Sequence, residues 1–327
     1  MNTRGRSCPP AYRYRPEALA QPARLSADTL FVVGGLYGNL AALRAVLERT
    51  QRERDGAAAI VFNGDFHWLD VGPEDFRTIG ETVLGQHAIK GNAEAELASD
   101  DDAGCGCAYP DYVDDAVVDR SNLIIARLRE TAQRFPELVS RLGGLPRWLV
   151  ANVGADRVGI VHGDPESLAG WRLALEAMEP GDAVVRQQVG WRGQPTTPAE
   201  VRDWFHRTDV SVLASTHTGL PYAQDFLVAG RPRLVINNAP PGSATSLAPP
   251  TASSRDCRAT PSPPPTASTA SRSAPCAATR CRCGSIRAGG ERASWHSGRP
   301  AAPATAPTSA GSPAAPRCGS SRPRGAT

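Results

Sequence analysis

Between Thr29 and Asn238 the chain alternates two rhythms of apolar and polar positions, and beyond Asn238 both rhythms stop. Thr29–Val33 and Ala57–Asn63 are short apolar runs with almost no polar interruption, which predicts strands buried on both faces. Between them Leu40, Leu43, Val46 and Leu47 recur at the 3.6-residue period, with Asn39 at the N-cap position and Gly56 as the stop, so the three segments form a parallel, right-handed βαβ unit. Pro73 opens a second helix with Phe76, Ile79, Val83 and Leu84 on its inner stripe, and a short strand, His87–Lys90, follows. Helical spacing returns over 122–135, and Pro136 starts a shorter helix that Gly143-Gly144 stops. Trp148–Val153 and Arg157–Val161 read as a hairpin. Thr197-Pro198-Ala199-Glu200 is a capping box ahead of Val201, Trp204 and Phe205, and Val210–Ala214, Asp225–Val228 and Leu234–Asn237 are the last strands predicted.

The flanks lack this patterning. Residues 1–28 are polar, carry Pro9, Pro10, Pro16 and Pro22, and are expected to form a flexible arm. In residues 239–327 the only Val, Ile, Leu, Met or Phe are Leu247 and Ile286, so that stretch has almost nothing to bury. It reads as a disordered Pro/Ala/Ser/Arg tail, either genuine or the out-of-frame translation of a GC-rich gene. The neighbouring reading frame tests the second origin: recovered strand-like sequence supports it.

Charge excludes several classes of function. The chain has one Lys (Lys90) and 35 Arg and a net charge of +3, but the tail from Pro241 holds 11 Arg against Asp256 and Glu291, which leaves residues 1–240 at −6. In a mildly acidic body no basic face calls for nucleic acid or a membrane surface. No apolar run is long enough to span a bilayer, and the first 27 residues lack the apolar centre of a secretion signal, so the expected compartment is the cytoplasm. Of eight Cys only Cys105 and Cys107 lie in the body, two residues apart, which is no disulfide framework.

The chemistry gathers where strands end. Gly34-Gly35-Leu36-Tyr37-Gly38-Asn39, Asn63-Gly64-Asp65, Lys90-Gly91-Asn92-Ala93-Glu94, Val161-His162-Gly163-Asp164 and Ser215-Thr216-His217-Thr218 each place polar groups after an apolar strand, where open α/β sheets bind ligands. In order and spacing these five loops resemble the metallophosphoesterase (calcineurin-like phosphoesterase) family over about residues 29–238. The resemblance implies an α/β fold, a metallophosphoesterase-type sandwich of two mixed β-sheets flanked by helices, and hydrolysis of a phosphate mono- or diester at a divalent metal centre. It implies metal ligands at Asp65, Asn92, His162 and His217, and substrate contacts from Asn39 and Ser215. Where the family carries its first-loop Asp and His this chain has Gly35 and Tyr37; Ala93 stands where the leaving-group His belongs, and Ser215 where another ligand belongs. One ion (Mn, Zn or Fe) is therefore expected rather than two. His67 and Glu94 are the expected proton-transfer residues, and Cys105 and Cys107 the substitute ligands that would favour zinc or iron.

Each residue also has a plainer reading. Asp65 can be a turn residue, His162 a satisfied core histidine, His67 a packing partner of Phe66 and Trp68, and the cysteines buried small residues or a loop clasp. Asp100–Asp102 is ordinary solvated charge, and Gly34–Gly38 does not fit a dinucleotide loop. Three functions stay open: a phosphoesterase with a rearranged site, acting on a phosphorylated small molecule or phosphodiester; an inactive homologue that binds phosphate, nucleotide or a partner; and a structural metal module on Cys105 and Cys107. The loops that would recognise a substrate, Ser99–Asp111 and Asp164–Pro198, match no pattern.

Overall fold

The computed structural model describes residues 4–53, 56–70, 72–188, 190–238, 240–241 and 278–282, all within one compact unit, Met1–Arg287. The architecture is the expected α/β sandwich of two sheets flanked by helices. The strands are β1 (Leu25–Ala27), β2 (Thr29–Val33), β3 (Ala58–Asn63), β4 (His87–Ile89), β5 (Trp148–Val153), β6 (Asp156–Val161), β7 (Val212–Ser215), β8 (Tyr222–Val228), β9 (Arg231–Asn237) and β10 (Ala278–Arg282). The helices are α1 (Leu40–Glu53), α2 (Pro73–Leu84), α3 (Asn92–Leu97), α4 (Asp115–Ala132), α5 (Pro136–Gly143), α6 (Leu175–Met178), α7 (Ala183–Gln188) and α8 (Pro198–Thr208).

One sheet runs β1-β5-β6-β7-β9-β8 and the other β10-β2-β3-β4. Strands β2, β3 and β4 are parallel, as are β6, β7 and β9, so their C-terminal ends fall on common edges. Strand alternation divides the apolar side chains between layers. Leu30, Val32 and Val61 face Leu149, Ala151, Val158 and Ile160 of the other sheet. Val33 and Phe62 turn outward against Leu43, Phe76, Ile79, Ile125 and Leu142 of the helices. On the far side Val201, Trp204 and Phe205 of α8 cover Val161, Leu213 and Val235. Local signals set the helix starts: Pro136 opens α5, and the reciprocal Thr197–Glu200 bonds (3.2 and 2.8 Å) open α8.

Several elements depart from the sequence reading: α3, α6 and α7 fall in stretches read as loops, and β8 begins at Tyr222 instead of Asp225. Helix α4 begins at Asp115 instead of residue 122, because the Asp114 carboxylate caps Ala116 N at 2.7 Å. Residues 4–28, expected as a flexible arm, pack against the body. Tyr12 and Leu19 are buried, β1 pairs with β5, Arg157 donates to the carbonyls of Leu19 and Gln21, and the Arg147 guanidinium lies over the rings of Tyr14 and Trp148. An irregular segment shows no periodicity when distant arginines, not its own ladder, satisfy its carbonyls. Strand β10 falls in the tail and pairs antiparallel with β2; an open sheet edge accepts an extended backbone whatever its side chains. The rest of the tail, and with it the expectation of disorder, lies outside the described residues.

Candidate metal centre

The turn after β3 is built on a buried carboxylate. Glu94 Oε2 accepts from Asp65 N and Gly91 N, both at 2.8 Å, and Oε1 accepts from Phe66 N at 2.9 Å. These bonds tie the loops after β3 and β4 together and aim Asp65 into the cleft, where its Oδ1 accepts from Ala93 N at 3.0 Å. Gly64 adopts φ +82°, and a Cβ on Gly91 would collide with Asp65 Oδ1 and His162 Cε1, so both glycines permit the close approach.

Four ligand atoms converge there. His162 donates from Nδ1 to the Asn63 carbonyl at 2.8 Å, which turns Nε2 toward Asp65 Oδ2 (3.3 Å), Asn92 Oδ1 (3.2 Å) and His217 Nδ1 (3.2 Å). His217 donates from Nε2 to the Cys107 carbonyl at 3.1 Å, leaving Nδ1 for the cleft. Asn92 Nδ2 donates to the Cys105 carbonyl at 3.0 Å, which orients its oxygen inward. Each donor's other polar atom is thus held by a backbone group, the arrangement that fixes tautomer and orientation around a metal. Asp65, His162 and His217 offer ligand atoms within 4.8 Å of one another, all buried.

The electrostatics reflect this crowding. Burial pushes the Asp65 carboxyl up, but His162 and His217 outweigh it and hold it below its usual range. Burial lowers His162 while Asp65 raises it, and the balance is a raised pKa. Burial and His162 drop His217 to about 4, so its imidazole is neutral. Two oxygens and two nitrogens facing one point need a cation between them, and a single proton or a divalent ion serves. The donor set, two imidazoles with a carboxylate and an amide oxygen, fits a borderline divalent metal.

Other predicted site residues stand elsewhere. Glu94, expected to transfer protons, is fully buried and committed to three backbone amides. His67, expected in the same role, is buried against Phe76 (ring centroids 4.2 Å apart) and donates to the Phe76 carbonyl at 3.0 Å. Glu94 is taken up by backbone amides, and the His67 Nδ1, which has no hydrogen-bond partner, lies 3.8 Å from Glu94 Oε1. Ser215 directs its hydroxyl to the Gly163 carbonyl (2.5 Å), and Asn39 caps α1 through Ala42 N (2.9 Å). Cys105 and Cys107 lie beside the cluster, not in it: Cys107 Sγ contacts Asn92 Nδ2 at 3.6 Å, and burial raises its thiol pKa, which disfavours the thiolate a metal needs. Sequence reasoning missed the Cys107 carbonyl, a backbone atom that no residue type advertises.

Fold and site together define a two-sheet α/β sandwich with a buried cluster of candidate metal ligands at the ends of its parallel strands. No family profile and no curated protein matches the chain. Among solved structures it is similar to hypothetical protein PH1004 from Pyrococcus horikoshii OT3, at 16% identity and a TM-score of 0.42, covering 64% of this chain and 76% of that one. It is also similar to a metallophosphoesterase from Sphaerobacter thermophilus, at 18% identity and 0.38, covering 66% and 77%. A serine/threonine phosphatase from Saccharomyces cerevisiae with similarity to human phosphatase PP5 aligns at 16% identity and 0.35, covering 69% and 76%. No helix among the described residues is long and apolar enough to cross a membrane.

Proposed function

We propose that this chain is a metal-dependent phosphoesterase that holds one divalent ion on Asp65, Asn92, His162 and His217 and hydrolyses a phosphate mono- or diester. The observation that carries the reading is the mutual approach of His162 Nε2 and His217 Nδ1 at 3.2 Å, each imidazole with its other nitrogen bonded to a carbonyl. When bound, a divalent ion supplies positive charge that polarises water and offsets phosphate charge. The residues around it orient and exclude. Glu94 holds the Asp65 turn, and Asn63 and Cys107 hold the two imidazoles through their carbonyls. Tyr37 stands at the β2 end of the cleft; burial, with Asp65, Cys107 and Tyr109 nearby, keeps its phenol protonated, so it is available to donate to a phosphoryl oxygen.

Gly35, Tyr37 and Ala93 favour a second reading, a phosphate-binding module without turnover, because none supplies the ligand or acid that the resemblance calls for. Metal content measured by mass spectrometry on the full chain, with an aryl phosphodiester assay on the same samples, separates the two. The expected result is about one equivalent of metal in the parent, lost in Asp65→Ala and His162→Ala, and hydrolysis only by loaded protein. A folded parent that binds the ion without turnover leaves the second reading. One that stays metal-free after Mn or Zn is supplied ends the first.

A further inference from the structure

Beside the ligand cluster stands a wall of aromatic rings that the two unreadable loops contribute. Trp171, from the loop after β6, donates from Nε1 to the Cys107 carbonyl at 2.9 Å, the same oxygen that receives His217 Nε2–H. Its ring lies edge-on to His217, with centroids 5.5 Å apart and planes at 79°. Tyr109, from the loop before α4, lies against Trp171 at 5.5 Å and is held through its hydroxyl to Ser121 Oγ at 2.9 Å. Both residues are partly exposed; Tyr109 packs against the helix-side apolar cluster, whereas among the described residues Trp171 packs into none of the four.

A large indole beside a metal ligand, outside any core, leaves apolar surface to be covered by something else. Charge does not select that occupant, because the adjacent Arg172 is turned away to Glu200 (2.6 Å) and Thr196 (3.1 Å). Flat π surfaces bind flat π surfaces. Resting on the metal-dependent reading, we infer that the ester group carries a planar aromatic ring, a nucleobase or an aryl group, held against Trp171 and Tyr109 while the phosphate meets the ligand cluster. Trp171 and Tyr109 are then specificity-determining residues.

The test compares two probes that share a sugar phosphate and differ by a base. AMP and ribose 5-phosphate are titrated calorimetrically into the full chain supplied with Mn, as parent, Trp171→Leu, Trp171→Phe and Tyr109→Leu. Stacking predicts that AMP binds the parent about 10-fold more tightly or better. Trp171→Leu should bring the AMP affinity down to that of ribose 5-phosphate while both still bind, and Trp171→Phe should keep part of the preference. Should Trp171→Leu not fold, Tyr109→Leu gives the same reading. Equal affinities in the parent overturn the inference. So does a Trp171→Leu protein that loses both probes together with its metal, since Trp171 then only props His217. A metal-free chain that still prefers AMP retains the wall and ends the metal reading; turnover without base preference does the reverse, and binding of neither probe ends both.

Discussion

The two halves of the strand-end cleft share a backbone and differ in chemistry. In the half built by the loops after β3, β4, β6 and β7, every ligand-bearing side chain is oriented by a second, backbone contact. In the half built by the loop after β2, the backbone contacts persist, with Tyr37 N bonded to the Asp65 carbonyl at 3.1 Å and Gly38 N to the Phe66 carbonyl at 2.7 Å, but no ligand follows. Tyr37 sits at φ +52°, a conformation that costs a bulky residue about 1 kcal/mol. A Cβ on Gly35 would meet the Tyr37 ring at 2.7 Å, so the phenol fills the space beside Gly35. Asp70, packed under Gly38, has a buried Oδ2 without a hydrogen-bond partner. Main-chain bonds thus join the loop after β2 to the loop after β3 although its side chains bring no ligand.

The contrast can be broken most severely at Glu94. Glu94→Gln replaces an acceptor of three amides with a group that turns N–H toward N–H; the expected loss is about 3 kcal/mol in urea unfolding, together with about 10-fold or more weaker metal binding. Unchanged stability would mean that the turn does not depend on this carboxylate.

Next in size is an attempt to equalise the halves. The Gly35→Asp, Tyr37→His double variant should raise metal stoichiometry from one towards two per chain. Gly35→Asp alone should destabilise by about 1–3 kcal/mol through collision with the Tyr37 ring. A double variant that still binds one ion would place the barrier in the backbone.

The smallest effect concerns Asp70. Burial raises its carboxyl to about 6, with His67 opposing and Asp75 adding. Its folded pKa lies above the unfolded value of 3.8, so the favourable neutral form is fully present below about pH 4 and is lost as pH rises through 6. Asp70→Asn mimics that neutral form. It should stabilise the protein by about 2 kcal/mol at pH 8, with the gain shrinking toward pH 4, as read from melting temperatures across that range. A gain of equal size at all pH values would remove ionisation as the cause.

Much of the fold was legible because burial leaves periodicity. The continuous apolar run of β3, the 3.6 stripe of α1 and the Thr197–Glu200 box each announce an element from within a few residues. Topology made legible that the strand-end loops share an edge, and the family resemblance picked Asp65, Asn92, His162 and His217 out of them. The arm over 4–28 was not, because the carbonyls of Ala11, Arg13 and Leu19 are held by Arg147 and Arg157, more than a hundred residues away. Glu94 was misjudged for a related reason: a carboxylate three residues beyond Gly91 looks free until the amides of Asp65 and Phe66 are seen folded onto it.

By itself the sequence determined which residue types arrive at the strand ends, and hence that Gly35 and Tyr37 bring no standard ligand. Only the tertiary structure decided which nitrogen of each imidazole faces the cleft, that Glu94 holds the turn, and that Trp171 and Tyr109 stand beside the ligands. Residue identity is a local property of the chain, whereas hydrogen-bond direction and ring placement depend on backbone carbonyls and loops brought together from distant positions.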